Sequence, residues 1–161
     1  AALLPHIPAH TGSLEIVDLG CGGGVLGLVA ALRSPAADLV FVDDSALAVA
    51  SSELSWRANR ERLGDRSARF VHADDLSLLP SGSVDLVLCN PPFHQEHAQT
   101  RQAGAAMFSE ARRVLRADGA LIVVGNRHLG YDEGMKRRFG RVRMLGGDRQ
   151  FMVLRGEGRR L

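Results

Sequence analysis

The sequence predicts an α/β fold: a mostly parallel seven-stranded sheet, covered by helices on both faces and closed by a C-terminal antiparallel hairpin. Three observations predict it. Five nearly continuous apolar runs alternate with helical patterns, as strands buried on both faces do. A glycine-rich turn follows the first of these runs. The last two runs are joined by Gly-Gly-Asp, the chemistry of a tight hairpin turn.

The five runs are LEIVDL (14–19), DLVFVD (38–43), ARFVHA (68–73), VDLVLC (84–89) and ALIVVGN (120–126). Helical patterns lie between them at about 24–33, 45–62 and 100–116, the second opening on Ser45 and the third on Thr100 as N-caps. Gly119 reads as the C-cap residue that ends the third helix. After Gly130 come a short helix, about 131–138, and two strands, RVRMLG and RQFMVLRG, around Gly146, Gly147 and Asp148. The opening residues read as the tail of a helix.

With 161 residues, 45% of them hydrophobic and 24% charged, the chain is expected to form one domain that supports its own core. Cys21 and Cys89 are too few for a disulfide framework, and no C-x-x-C pair is present to hold zinc. A reducing, cytoplasmic setting fits that usage. No run approaches the roughly 18 apolar residues of a membrane span, and the opening AALLPHIP lacks the charged flank of a signal peptide, so no membrane partner is expected. The net charge is only +2, but residues 127–161 carry 10 basic and 4 acidic side chains. Arg137, Arg138, Arg141, Arg143, Arg149, Arg155, Arg159 and Arg160 could neutralise phosphates of a nucleic acid, or could simply be solvated surface.

The turn after the first strand is Asp18-Leu19-Gly20-Cys21-Gly22-Gly23-Gly24. Gly22, Gly24 and Gly27 satisfy G-x-G-x-x-G, so a nicotinamide dinucleotide must be considered. Asp18 argues against it, because a carboxylate at the end of the strand repels a pyrophosphate and attracts a cation. S-adenosylmethionine offers an ammonium and a sulfonium. Asp43, at the end of the second strand, could then accept from ribose hydroxyls, and Asp74, after the third, from the adenine amino group. Asp44 and Asp75 read as ordinary cap and turn residues.

The fourth strand ends at Cys89 and runs directly into Asn90-Pro91-Pro92-Phe93. Two prolines make a rigid elbow without backbone N–H groups, leaving carbonyls and the Asn90 amide oxygen as acceptors. Phe93 adds a ring for stacking. An exocyclic amine on a planar base delocalises its lone pair and attacks poorly. Acceptors at Asn90 Oδ1 and the Pro91 carbonyl would pull its hydrogens toward a tetrahedral arrangement and stabilise the charge that develops on attack. The same chemistry serves guanine and adenine amino groups and a glutamine amide. A non-catalytic module that binds cofactor or RNA is the reading from another class.

These residues carry a resemblance. Asp18 to Gly24, Phe41-Val42-Asp43 and Leu88-Cys89-Asn90-Pro91-Pro92-Phe93-His94-Gln95 resemble the ribosomal RNA guanine-N2 methyltransferases of the RsmC/RlmG family, in the small-methyltransferase-domain superfamily. Ala111-Arg112-Arg113-Val114-Leu115 and Asn126-Arg127-His128-Leu129 are most similar to the members that modify large-subunit RNA. The resemblance implies a Rossmann-like class I S-adenosylmethionine-dependent fold and methyl transfer to the 2-amino group of one guanine in 23S ribosomal RNA. Small-subunit 16S enzymes are the nearest alternative. It also implies that residues 1–161 are the catalytic domain of a longer protein, without the RNA-recognition domain and the segment before the first strand that helps to close the cofactor pocket. Cofactor contacts are then expected from Asp18, Gly20, Cys21, Gly22, Gly24, Asp43, Asp74 and Asn90, and catalysis from Asn90, Pro91, Pro92 and Phe93.

His94 and Gln95 are expected to touch the target base, with a solvated loop as the alternative. Asn126 and Arg127 follow the fifth strand and should reach the same rim, Arg127 as a phosphate contact or a surface ion pair. His94 and His97 form H-x-x-H, but with no third ligand at suitable spacing no metal is expected. Cys21 and Cys89 suit packing better than catalysis, Trp56 suits the core, and a monomer is expected.

Overall fold

The computed structural model describes residues 2–64, 66–91 and 97–159; of 97–101 and 159 it describes the backbone. Seven strands, β1 (Leu14–Leu19), β2 (Ala37–Asp43), β3 (Ala68–His72), β4 (Val84–Cys89), β5 (Leu115–Asn126), β6 (Phe139–Gly147) and β7 (Phe151–Arg159), form one sheet in the order β3-β2-β1-β4-β5-β7-β6. β1 to β5 pair in parallel; β7 runs antiparallel to both β5 and β6. The expected architecture is the observed one.

Strand parity divides the core. Ile16, Leu39, Phe41, Leu86 and Leu88 face one side, with α1 (Val25–Arg33), α2 (Ala46–Ala58) and the short α3 (Arg60–Leu63). Val17, Val40, Val42, Val87 and Cys89 face the other, with α4 (His97–Val114) and α5 (Tyr131–Lys136). Neighbouring residues of one strand therefore bury against different helices, which is why the runs are continuously apolar. On the first face Phe41 stacks on Phe70 at 5.1 Å and meets Trp56 edge-on at 5.7 Å, so Trp56 belongs to the core as expected. On the second, Tyr131 lies between Gly104 of α4 and Gly125 of β5 and meets Phe108 edge-on at 5.4 Å.

Local signals explain most boundaries. Ser45 caps α2 by accepting from the Ala48 amide at 3.3 Å. The helical pattern expected over 45–62 breaks at Asn59, whose side chain turns back to the Ser55 carbonyl at 2.8 Å, so that α2 and α3 are separate. The opening residues form a 3-10 turn, Leu4–His6, with Leu3 and Ile7 buried and Arg33 donating to the Leu4 and Ile7 carbonyls at 2.8 and 2.7 Å.

Two expectations need correction at α4. The helix starts at His97, which places Thr100 inside its first turn and not at the cap. It ends at Val114 and passes without a loop into β5, so Gly119 is no helix cap but a strand residue. The helix needs no glycine cap, because the Gly82 and Ser83 amides donate to the Arg113 and Val114 carbonyls at 3.1 and 2.8 Å. Gly119 instead sits where β5 shifts register against β4, and a Cβ there would be tight, 3.1 Å from the Val84 and Asp85 carbonyl oxygens.

The order reverses between β1 and β4, the point at which open α/β sheets bind ligands beyond the carboxyl ends of their strands.

Candidate active site

Gly20, Gly22 and Gly24 have φ of 69°, 52° and 80°, so the chain turns sharply through conformations that side chains resist. The Gly20 and Cys21 amides both donate to the Val42 carbonyl, at 2.9 and 3.1 Å, and the Gly22 amide donates to Asp43 Oδ2 at 2.9 Å. These bonds tie the end of β1 to the end of β2. They also take the Gly22 amide that a dinucleotide's pyrophosphate would need. Gly27, the last glycine of the apparent dinucleotide fingerprint, serves packing: a Cβ there would lie 2.6 Å from Phe41 Cζ.

Asp18 is fully buried. Its Oδ2 accepts from the Gly27 amide at 2.8 Å, while Oδ1 has no hydrogen-bond partner. Burial pushes its carboxyl up to about 7; the Gly27 N–H works against that rise and the nearby Asp43 charge adds to it. Asp18 therefore stands behind the turn, on the α1 side, and not on the cavity surface. Cys21 and Cys89 are buried thiols, Cys21 pushed up to about 12 and Cys89 further, both mainly by burial. Neither is a nucleophile at neutral pH, in keeping with a packing role.

A cavity of about 430 Å3 opens at the carboxyl ends of the strands. It brings together Gly20, Asp43, Asp74 and Asn90 among the expected residues, with Met107 of α4 as one wall. Asp43 holds the turn amides, Oδ1 accepting from Ser45 at 2.9 Å, yet each oxygen keeps a lone pair for a ligand. Asp44 and Asp75 also line the cavity. Asp75 is the turn residue expected, its Oδ1 accepting from the Ser77 amide at 2.8 Å. Cys21, Gly22 and Gly24 shape the turn without lining the cavity. A larger cavity of about 590 Å3 lies between α4 and α5, lined by Phe108, Tyr131, Arg137 and Arg138 among others, and contains none of the expected site residues. The smaller cavity is the site, because the strand ends and the acidic side chains converge there.

The elbow faces this cavity. Cys89 is buried, Asn90 is exposed at the cavity wall and Pro91 is buried again. A Cβ on Gly20 would lie 3.6 Å from the Asn90 carbonyl oxygen, so the glycine turn and the elbow meet backbone to backbone across the switch point. Pro92, Phe93, His94 and Gln95 lie outside the described residues, as does the His97 side chain. Asn126 and Arg127 stand further along the same rim and do not line the cavity. Asn126 Oδ1 accepts from the His128 amide at 3.0 Å, and Arg127 Nε donates to the Asp148 carbonyl at 2.7 Å.

Sequence reasoning missed the roof. Ala103, Ala106, Met107 and Glu110 all line the cavity from α4. Their helical spacing was the available signal, but nothing local says that this helix returns from the elbow over the glycine turn. Among the described residues no helix is long and apolar enough to cross a membrane.

The acidic lining, the unpartnered Asp18 Oδ1 and the bare Gly20 backbone fit a ligand with cationic groups. A model of the Methyltransferase small domain family matches residues 1–155. A ribosomal RNA large subunit methyltransferase G of Streptomyces coelicolor is 50% identical over 152 residues, 94% of this chain and 40% of that protein. Its counterpart in Pseudomonas paraeruginosa is 47% identical over 154 residues, 96% of this chain and 40% of that protein. Among solved structures, the T. thermophilus 16S rRNA N2 methyltransferase (RsmC), in complex with AdoMet and guanosine, superposes with a TM-score of 0.78 at 29% identity, covering 98% of this chain and 41% of that one. The chain thus spans 40% of the length of these curated relatives. With its family model matched from the 3-10 turn into β7, the chain belongs to the Methyltransferase small domain family.

Proposed function

We propose that this chain is the catalytic domain of an S-adenosylmethionine-dependent methyltransferase acting on the exocyclic 2-amino group of a guanine in large-subunit, 23S ribosomal RNA, in the cytoplasm. The observation that carries the proposal is the meeting of the Asn90-Pro91 elbow with the glycine turn over one acid-lined cavity. The names of the relatives, and the guanosine in the structure of the T. thermophilus relative, support the choice of base and of RNA.

When bound, the cofactor supplies an electrophilic methyl group on a positively charged sulfur. The chain's own residues do the rest. Asp43 offers acceptors to a ribose and Asp74 to an adenine amino group, while Gly20 lets the ligand approach the backbone. Asp18 sets the negative potential behind the turn. Asn90 Oδ1 and the Pro91 carbonyl accept the two hydrogens of the guanine amine, orienting its lone pair and stabilising the charge that grows on nitrogen. Pro92, Phe93, His94 and Gln95, which lie outside the described residues, keep in this proposal the roles expected from the sequence: a stiff elbow, stacking on the base and contact with its surroundings. Once charged, the amine is acidic enough to lose its proton to water, so no strong general base is needed.

The test incubates the chain with large-subunit RNA and labelled cofactor and identifies the methylated nucleoside by mass spectrometry. N2-methylguanosine is expected; methylated adenine, or a methylated glutamine peptide in a parallel assay, overturns the substrate. Asn90→Ala should keep cofactor affinity within a few-fold while transfer falls about 100-fold or more. Full turnover in that variant refutes the role of the amide.

A further inference from the structure

The rim that carries the candidate site is electrically divided. On the β2–β3 side stand Asp43, Asp44, Asp74 and Asp75. On the other side β5 ends at Asn126, which pairs with Phe151 of β7, and Gly147 of β6 pairs with Met152. Arg127, His128 and the β6–β7 turn, Asp148 to Gln150, therefore share the rim with Asn90, with β1 and β4 standing between them and the acidic corner.

The hairpin corner is built to present cations. Asp148 is exposed but engaged by the turn: Oδ1 accepts from the Phe151 and Gln150 amides at 2.7 and 2.8 Å, which, with the nearby Arg127 charge, holds its carboxyl below the usual range. Arg127 is exposed yet anchored. Its backbone amide donates to the Gln150 carbonyl at 3.0 Å and its Nε to the Asp148 carbonyl at 2.7 Å. Its Nη1 and Nη2 each reach the Met144 thioether at 3.9 Å, a weak acceptor that a phosphate would outcompete, and its charge also acts on the nearby Asp148 carboxyl. Arg149 is exposed at the turn, and Met144, 60% exposed, is an apolar shelf beside the guanidinium. Of the other tail arginines, Arg143 and Arg155 pair with Glu157, and Arg138 bonds to Ser109 and to the Gly134 carbonyl.

We propose that the substrate RNA approaches over the β5–β7–β6 corner, its phosphates seated on Arg127 and Arg149 and a ribose or base on Met144, and never over the β2–β3 corner. This rests on the reading of RNA as the substrate. A backbone laid over the acidic corner would bring phosphates within roughly a Debye length, about 8–10 Å, of four carboxylates. Over the hairpin it meets a guanidinium whose orientation is already fixed, which suits bidentate phosphate recognition. The same direction of approach leaves the acidic corner to the cationic cofactor.

Fluorescence anisotropy of a short labelled single-stranded RNA, titrated with the chain between about 50 and 200 mM salt, tests the route. Arg127→Gln and Arg149→Gln should each reduce the slope of log affinity against log salt by about 0.7, so that together they cut the salt-driven loss by about 7-fold. The double variant Arg137→Gln/Arg141→Gln is the control; Arg141 lies six residues before the rim end of β6, about 20 Å away, and its slope should match the wild type. A thermal melt checks Arg127→Gln, whose side chain holds the turn; Arg149 makes no such bond, so its variant decides alone if the other unfolds. Wild-type slopes in both rim variants, or an equal loss in the control pair, overturn the route. No measurable RNA binding by the wild type overturns the proposed corner, whereas the RNA reading stands or falls on the nucleoside assay described above.

Discussion

Replacing Asp18 with asparagine separates what the buried carboxylate does for folding from what it does for binding. Asp18 is fully buried, with one oxygen on the Gly27 amide and the other unpartnered, and its carboxyl is raised from 3.8 to about 7, first by burial. The titratable groups that face it are Asp43, whose like charge adds to the rise, and the thiols of Cys21 and Cys89. A carboxyl whose pKa is higher folded than unfolded leaves its stabilising share intact below the unfolded value and loses it as pH climbs to the folded value. Here the loss runs from about pH 4 to about pH 7 and amounts to about 4 kcal/mol at 1.36 kcal/mol per unit. That is a large part of the 5–15 kcal/mol of an ordinary domain. Asparagine can still accept from the Gly27 amide and never ionises. Urea unfolding of Asp18→Asn and wild type at about pH 4.5 and pH 8 should therefore show the variant gaining on the wild type by a few kcal/mol at the higher pH. Calorimetry at pH 8 should show the variant binding S-adenosylmethionine more weakly, because the negative potential behind the turn is gone. A stability difference that does not change with pH refutes the assignment of a strained, ionising carboxyl.

Two further substitutions probe the packing on either face. Gly27→Ala places a methyl 2.6 Å from Phe41 Cζ, in a ring held by Trp56 and Phe70; a loss of about 1–3 kcal/mol in chemical denaturation is expected, and an unchanged midpoint would count against the close packing of α1 on β2. Tyr131→Phe removes a buried hydroxyl that has no hydrogen-bond partner, so stability should hold or rise by about 1 kcal/mol; a clear loss in thermal unfolding would mean that the hydroxyl is bonded.

The central strands were legible because burial on both faces leaves no polar alternation to misread, whereas the edge strands β3 and β6, largely unburied, were legible from their β-branched residues and flanking turns. LEIVDL and VDLVLC coincide with β1 and β4. The α4–β5 junction was not legible, because its helix end is satisfied by Gly82 and Ser83, more than thirty residues back in the chain. Gly119 looked like a cap for want of that tertiary information. At the site, Gly20, Asp43, Asp74 and Asn90 could be placed at strand ends from the pattern alone. Asp18 could not be placed behind the turn by residue type, although strand parity carried the hint: it shares its face with Ile16, on the α1 side. Met107 needed the path of α4, which no local motif encodes.

The direct passage from Val114 to Leu115 has a mechanical consequence. A helix joined to its strand through several loose residues can tilt at little cost, whereas this one is spliced to β5 at Leu115, which pairs at once with Val84 of β4; the second neighbour, β7, joins from Ala120. Rocking the wall formed by Met107 would shear that ladder. Movement of that wall is thereby coupled to β4, the strand that leads into Asn90, which lines the same chamber.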